Sequence, residues 1–240
     1  MNNLDRQLKD LVAENTILVD FFNDEGIDYC CGGADTLGKA LEDKKKETKP
    51  FLERMDVFIE KAKEERKEKG ELNVYDMKID ELIDHLEETH HVEERAYLKQ
   101  VDEDLNKILI VHFEHHGELL LKLHSLFADL KKELEEHFVK EEKITFPMIL
   151  KDYKDGNITK ETLKKVEELE EDHEGAGAVI KEMIDLTDHF EVPEDACFTY
   201  NRTFETLHTL VEDVFIHIFK ENSILFEKLK GEANEKTSQE

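Results

Sequence analysis

The chain has 240 residues, enough for one or two domains that need no disulfide or metal staple to fold. Its 33 Lys and Arg stand against 60 Asp and Glu, a formal net charge of -27. A field of that sign repels phosphate backbones and anionic headgroups, so no nucleic acid and no membrane partner is expected, while metal cations are attracted.

With 10 Gly, 3 Pro and no Trp, the composition is that of an all-α protein, and its 39% of apolar residues argues against acidic disorder. The start, Met1 to Arg6, has no apolar signal core. The longest apolar runs, such as Ile108 to Val111, fall far short of the roughly 20 residues that span a bilayer. Cys30, Cys31 and Cys197 cannot make a disulfide framework, and a bridge between the adjacent pair would be strained. Free thiols and a cytoplasmic protein are therefore expected.

In chain order, Leu4, Leu8, Leu11 and Val12 give a first helical stripe, and Leu18, Phe21 and Phe22 a second, stopped by Gly26. The tight loop Ile27-Asp28-Tyr29-Cys30-Cys31-Gly32-Gly33 follows, and Asp35 is placed to cap a third helix carrying Leu37, Ala40 and Leu41. Residues 1–48 thus read as a small helical domain, and 49–77 as a charged connecting helix with Phe51, Met55, Phe58 and Ile59 on its apolar face. Residues 78–232 carry four long amphipathic patterns: Ile79 to about Val111, Gly117 to Lys151, Thr159 to Phe190, and Glu194 to Lys230. The breaks are His112 to Gly117, Asp155-Gly156-Asn157 and Pro193. Short loops make successive helices antiparallel, which predicts an up-down four-helix bundle with a disordered polar tail over 233–240.

The chain has 12 histidines. A His and a Glu four residues apart share a helix face, and four such pairs occur: His90/Glu94, His137/Glu141, His208/Glu212 and His217/Glu221. In a Glu-rich chain such spacing arises by chance, so burial is the better discriminator. His137 and Glu141 continue the stripe Leu123, Leu126, Leu130, Leu134 and precede Ile144 and Met148. His217 and Glu221 continue Leu207, Leu210, Val214 and precede Ile224 and Leu225. Carboxylates on a bundle's core face are costly unless a cation compensates them, so the two pairs suggest a shared dication site. His173 lies on a third stripe beside the small residues Gly175 to Ala178, which would leave room for a small ligand or for a close helix neighbour. On the first bundle helix, Ile79, Ile83 and Leu86 favour His90, whereas Leu98, Leu105 and Leu109 favour His91, and periodicity does not choose. Six N/O donors with two carboxylates suit a pair of metals, with iron favoured and zinc or manganese open on donor type. Cys197 reads as a small buried hydrophobe, and His112, His115 and His116 as solvated loop residues.

This pattern resembles the hemerythrin-like bundle, and more closely the repair-of-iron-centres family of iron–sulfur cluster repair proteins. The segment Gly26 to Gly33 looks like that family's cysteine loop. His91-x-x-x-Arg95, His137-x-x-x-Glu141 followed by Phe146-Pro147, Asp172-His173 and His217-x-x-x-Glu221-Asn222 look like its bundle motifs in order. The resemblance implies an oxo-bridged non-haem di-iron centre held by His91, His137, His173 and His217, bridged by Glu141 and Glu221. It also gives Cys30 and Cys31 a redox or metal-transfer role. The implied function is repair of iron–sulfur clusters damaged by oxidative or nitrosative stress, by supplying iron, with the damaged iron–sulfur proteins as partners. The alternative is a di-iron enzyme reducing nitric oxide or peroxide, or a metal or redox sensor module; nitric oxide and dioxygen are the small ligands expected. Gly177, where an oxygen carrier would supply histidine, and Glu221, where it would supply an aspartate one residue later, disfavour oxygen carriage. Thr16 stands where this family would carry proline. A homodimer would give the small N-terminal domain a surface to pack against.

Overall fold

The computed structural model describes residues 3–14, 18–27, 29, 35–69 and 74–237. Apart from one isolated bridge between Gln7 and Thr36, every regular element among them is helical. They form two units: Met1–Lys78 with Ile218–Glu227, and Ile79–His217 with Lys228–Glu240.

In the first unit, α1 (Leu8–Glu14) and α2 (Leu18–Asp24) are short, and Gly26 ends α2 with a φ of 63°, a conformation a side chain would strain. Helix α3 (Leu37–Asp43) is capped by Thr36 rather than by Asp35. The Thr36 hydroxyl accepts from the Lys39 N–H at 3.3 Å, while Asp35 takes the Lys39 ammonium at 2.7 Å. Helix α4 (Thr48–Lys69) tolerates Pro50 because it lies in the first turn, whose N–H groups have no helical partner. Phe51 and Met55 of α4 are buried, and the Phe51 ring lies 5.2 Å from Phe21. Glu25 ties α4 down, accepting from Lys46 and Arg54 at 2.8 Å each. Tyr29 is buried against Phe219, whose ring is 5.6 Å away, and Ile224, Leu225 and Phe226 complete this core.

The second unit holds the bundle. Helix α5 (Ile79–Leu86) passes through a five-residue π turn, Glu87–His91, into α6 (Val92–Val111). Helix α7 (Phe113–Lys140) passes through a second π turn, Glu141–Thr145, into α8 (Phe146–Asp155). Gly156, at φ 63°, closes α8, and Thr159 caps α9 (Lys160–Leu186) through a bond from the Thr162 N–H. Asp152 accepts the Thr159 N–H and hydroxyl and the Thr162 hydroxyl, at 2.8, 2.7 and 2.6 Å, so the reversal is fixed by side chains. Helix α10 (Phe198–Lys220) continues through a third π turn, Glu221–Leu225, into α11 (Phe226–Thr237). Helix α6 is joined to α10 by Asp104, wholly buried, which accepts from Arg202 Nε and Nη2 at 2.8 Å each.

Several local expectations change. Only His112 separates α6 from α7, so His115 and His116 sit in the first turn of α7 rather than in a loop. His116 pairs with Asp195 at 2.8 Å. Helix α9 stops at Leu186, short of Phe190; Asp188, His189 and Phe190 all take positive φ, and the Thr187 hydroxyl accepts the Phe190 N–H at 3.0 Å. Helix α10 begins at Phe198, leaving Cys197 ahead of its packed stripe and exposed, 3.2 Å from His112 Nε2. Beyond Gly231 the helix runs on to Thr237. Among the described residues no helix is long and apolar enough to cross a membrane.

Candidate metal centre

The three π turns coincide with candidate ligands: the first ends at His91, and the other two begin at Glu141 and Glu221. A π turn inserts one residue into the helical register and so turns the following face, a device frequent at functional sites. From Leu86 the ordinary period of four would carry the inward stripe to His90; with the extra residue it arrives at His91. The same shift explains why Ile144, expected inward, is 46% exposed while Thr145 and Phe146 are buried.

The donors fall into two buried groups that share both carboxylates: His91, Glu141, His217 and Glu221, and His137, Glu141, His173 and Glu221. Within each group the donor atoms all lie within 4.8 Å of one another. His137 Nε2 stands 3.0 Å from His173 Nε2 and 3.1 Å from one Glu141 oxygen, and His91 Nε2 stands 3.2 Å from the other. Donors about 2.1 Å from one cation and at right angles lie about 3.0 Å apart, so these separations fit metal coordination. Neither Glu141 oxygen, nor His91 Nε2, makes a hydrogen bond of acceptable geometry, although all are fully buried. A wholly buried carboxylate without hydrogen bonds is expensive, and a dication is the compensation this donor set offers.

The opposite ring nitrogens meet carboxylates. His91 Nδ1 donates to Glu142 at 3.0 Å, and Glu142 is held by Arg95 at 2.8 Å. His217 Nδ1 donates to Glu94 at 3.0 Å, and His137 Nδ1 lies 3.6 Å from Asp172, which also takes Lys140 at 2.6 Å. A carboxylate on Nδ1 fixes the tautomer that leaves Nε2 free to ligate. Burial pushes the Glu94 carboxyl up to about 7 against the opposing pull of His217, whereas the His137 and Lys140 contacts hold Asp172 at about 2 against desolvation.

His90 belongs elsewhere: its Nδ1 donates to Asp213 at 2.9 Å, and with Glu94 and Asp213 it forms a third group. His208 and Glu212 are a surface pair 3.7 Å apart, with His208 57% exposed. Of the small residues beside His173, Ala176 and Gly177 are buried and Gly175 is exposed. Cys30, Cys31 and Thr16 lie outside the described residues. Glu94, Glu142, Asp172 and Asp213 were not anticipated as partners of the histidines. The His90/Glu94 spacing and the Asp172-His173 pair were their only sequence signals.

Residues 82–229 match the family model described as hemerythrin HHE cation binding domain, and residues 4–57 match a Domain of Unknown function (DUF542). The chain is 25% identical over 219 residues to "Iron-sulfur cluster repair protein ScdA" of Staphylococcus haemolyticus (strain JCSC1435), covering 91% of this chain and 95% of that protein. It is 28% identical over 229 residues to "Iron-sulfur cluster repair protein YtfE" of Enterobacter sp. (strain 638), covering 95% and 98%. To the protein of that name from Escherichia coli O157:H7 it is 29% identical over 212 residues, covering 88% and 90%.

Proposed function

The chain belongs to the hemerythrin HHE cation binding domain family, and from that premise we propose that it is a di-iron protein that repairs damaged iron–sulfur clusters by supplying iron. The observation that carries the metal reading is the set of separations of 3.0 to 3.2 Å among His137, His173, Glu141 and His91. The repair reading draws on the relatives, two of which are matched over more than nine-tenths of both chains.

In this reading His91 and His217 would hold one iron and His137 and His173 the other, with Glu141 and Glu221 as the carboxylate donors common to both groups. Iron held there is cargo, available to a cluster that has lost it. The protein's own part is binding and release. Glu142 orients the ring of His91, and burial keeps water from competing for the donors. Glu141, whose oxygens make no hydrogen bond to the protein, would be free to offer both of them to iron. We assign Cys30 and Cys31 to docking or to receiving the released iron, on their adjacency in the sequence beside Gly32 and Gly33.

The test mixes the iron-loaded protein with an apo iron–sulfur enzyme, sulfide and a thiol reductant. Cluster rebuilding and recovery of that enzyme's activity should exceed what equal free iron gives in the presence of a mild chelator. Recovery no better than free iron would contradict the supply role. Steady conversion of nitric oxide to nitrous oxide with a reductant, and no transfer, would favour the enzymatic alternative.

A further inference from the structure

Behind His217 lies a carboxylate outside the two donor groups that share Glu141 and Glu221. Glu94 is wholly buried on α6; one oxygen accepts from His217 Nδ1 at 3.0 Å, and the carboxyl also meets that of Asp213. Asp213, one turn before His217 on α10, accepts from His90 Nδ1 at 2.9 Å. The His90 ring lies flat against the His217 ring, 5.2 Å between centroids at 5° between planes, and Phe138 flanks His217 at 6.1 Å and 24°. Stacking of this kind fixes the plane of the His217 ring. It does not distinguish that ring from the same ring turned by half a revolution, which exchanges a nitrogen for a carbon at each position. The Glu94 hydrogen bond does distinguish them, since only the nitrogen has a proton to give.

We propose that Glu94 is a positioning residue of the metal centre, selecting the His217 ring orientation and tautomer that aim Nε2 at the metal. The inference rests on the metal reading above. Glu94 is poorly explained as a stabiliser of the fold: a leucine would fill a comparable buried volume without a carboxyl to desolvate. Its place is explained if metal affinity is what it supports.

The experiment compares the parent chain with Glu94→Leu, Glu94→Gln and His217→Ala. Iron(II) affinity is read by chelator competition, apo-protein stability by urea, and the His217 tautomer by nitrogen-15 NMR of the apo protein. Glu94→Leu should leave the apo protein at least as stable as the parent, abolish the fixed Nδ1–H tautomer and weaken iron binding about 10–100-fold. Glu94→Gln, whose amide oxygen still accepts from Nδ1, should keep the tautomer and lose roughly 3–10-fold, at or below the lower end of what such a partner contributes. Affinity within twofold of the parent in both variants would overturn the proposal, as would an unbiased His217 tautomer in the parent. Should Glu94→Leu fail to fold, Glu94→Gln decides by the same thresholds. His217→Ala separates the two levels: loss of iron there, with both Glu94 variants normal, removes only the positioning role. Undiminished iron binding by His217→Ala would remove the metal reading itself.

Discussion

Adjacent in the chain, His90 and His91 turn their rings to different partners: His91 Nε2 faces Glu141 at 3.2 Å, and His90 Nδ1 donates to Asp213 at 2.9 Å. The π turn Glu87–His91 brings this about, because its extra residue advances the inward stripe from one histidine to the next. Arg95, one turn further on, supports the result. It holds Glu142 against His91 Nδ1 and lies 4.9 Å above the Phe138 ring.

That geometry predicts which histidines matter for metal. His91→Ala should lower the metal content of the purified protein to about one ion per chain or less, since it removes a donor from a buried site. His208→Ala removes a mostly exposed ring outside the donor groups and should leave the content unchanged. Elemental analysis of both variants, with circular dichroism to verify the fold, makes the comparison. Equal metal content in the two would remove His91 from the ligand set.

Glu141 belongs to both donor groups, so Glu141→Gln should weaken both positions together. The amide keeps the shape but not the charge, and a loss of tenfold or more in iron affinity is expected, as for other changes at metal-supporting carboxylates. The apo variant should be at least as stable as the apo parent, because a buried carboxylate without hydrogen bonds has been removed. Titration calorimetry and urea denaturation together check the two signs.

Away from the centre, Arg202→Ala should destabilise the bundle by about 2 kcal/mol at neutral pH, because Asp104 loses charged hydrogen bonds while remaining buried. Desolvation acts to raise the Asp104 pKa, but bonds from Lys107, Gln100 and Arg202 outweigh it and hold the carboxyl below its ordinary value. A lowered folded-state pKa contributes stability that is present above the unfolded value of about 3.9 and is lost as pH falls through the lower folded value. The gap between parent and variant should therefore narrow in acid. A gap that widened as pH fell would contradict this account of Asp104.

Much of this architecture is legible from apolar periodicity, because long amphipathic helices joined by Gly156 and the Pro193 region leave few alternatives. The pairs His137/Glu141 and His217/Glu221 could be picked out because each continues an apolar stripe. The choice between His90 and His91 could not be read from spacing, since a period of 3.6 carries no mark of a π turn. The same blindness placed Ile144 inward, where the structure leaves it 46% exposed. The carboxylates behind the ligands were hidden for another reason. In a chain with 60 acidic residues, Glu94 and Glu142 look like any solvated glutamate until a partner from another element is seen beside them. Cys197 misled because a cysteine's burial depends on which side of a helix start it falls, and α10 begins one residue after it.

The most direct test of the central claim is elemental analysis of the protein purified without chelators, read with its near-ultraviolet and visible spectrum. The account predicts close to two irons per chain, held by the four histidines and two glutamates, with the near-ultraviolet absorption of an oxo-bridged ferric pair. Zinc alone, or no bound metal even after anaerobic reconstitution with iron(II), would contradict it.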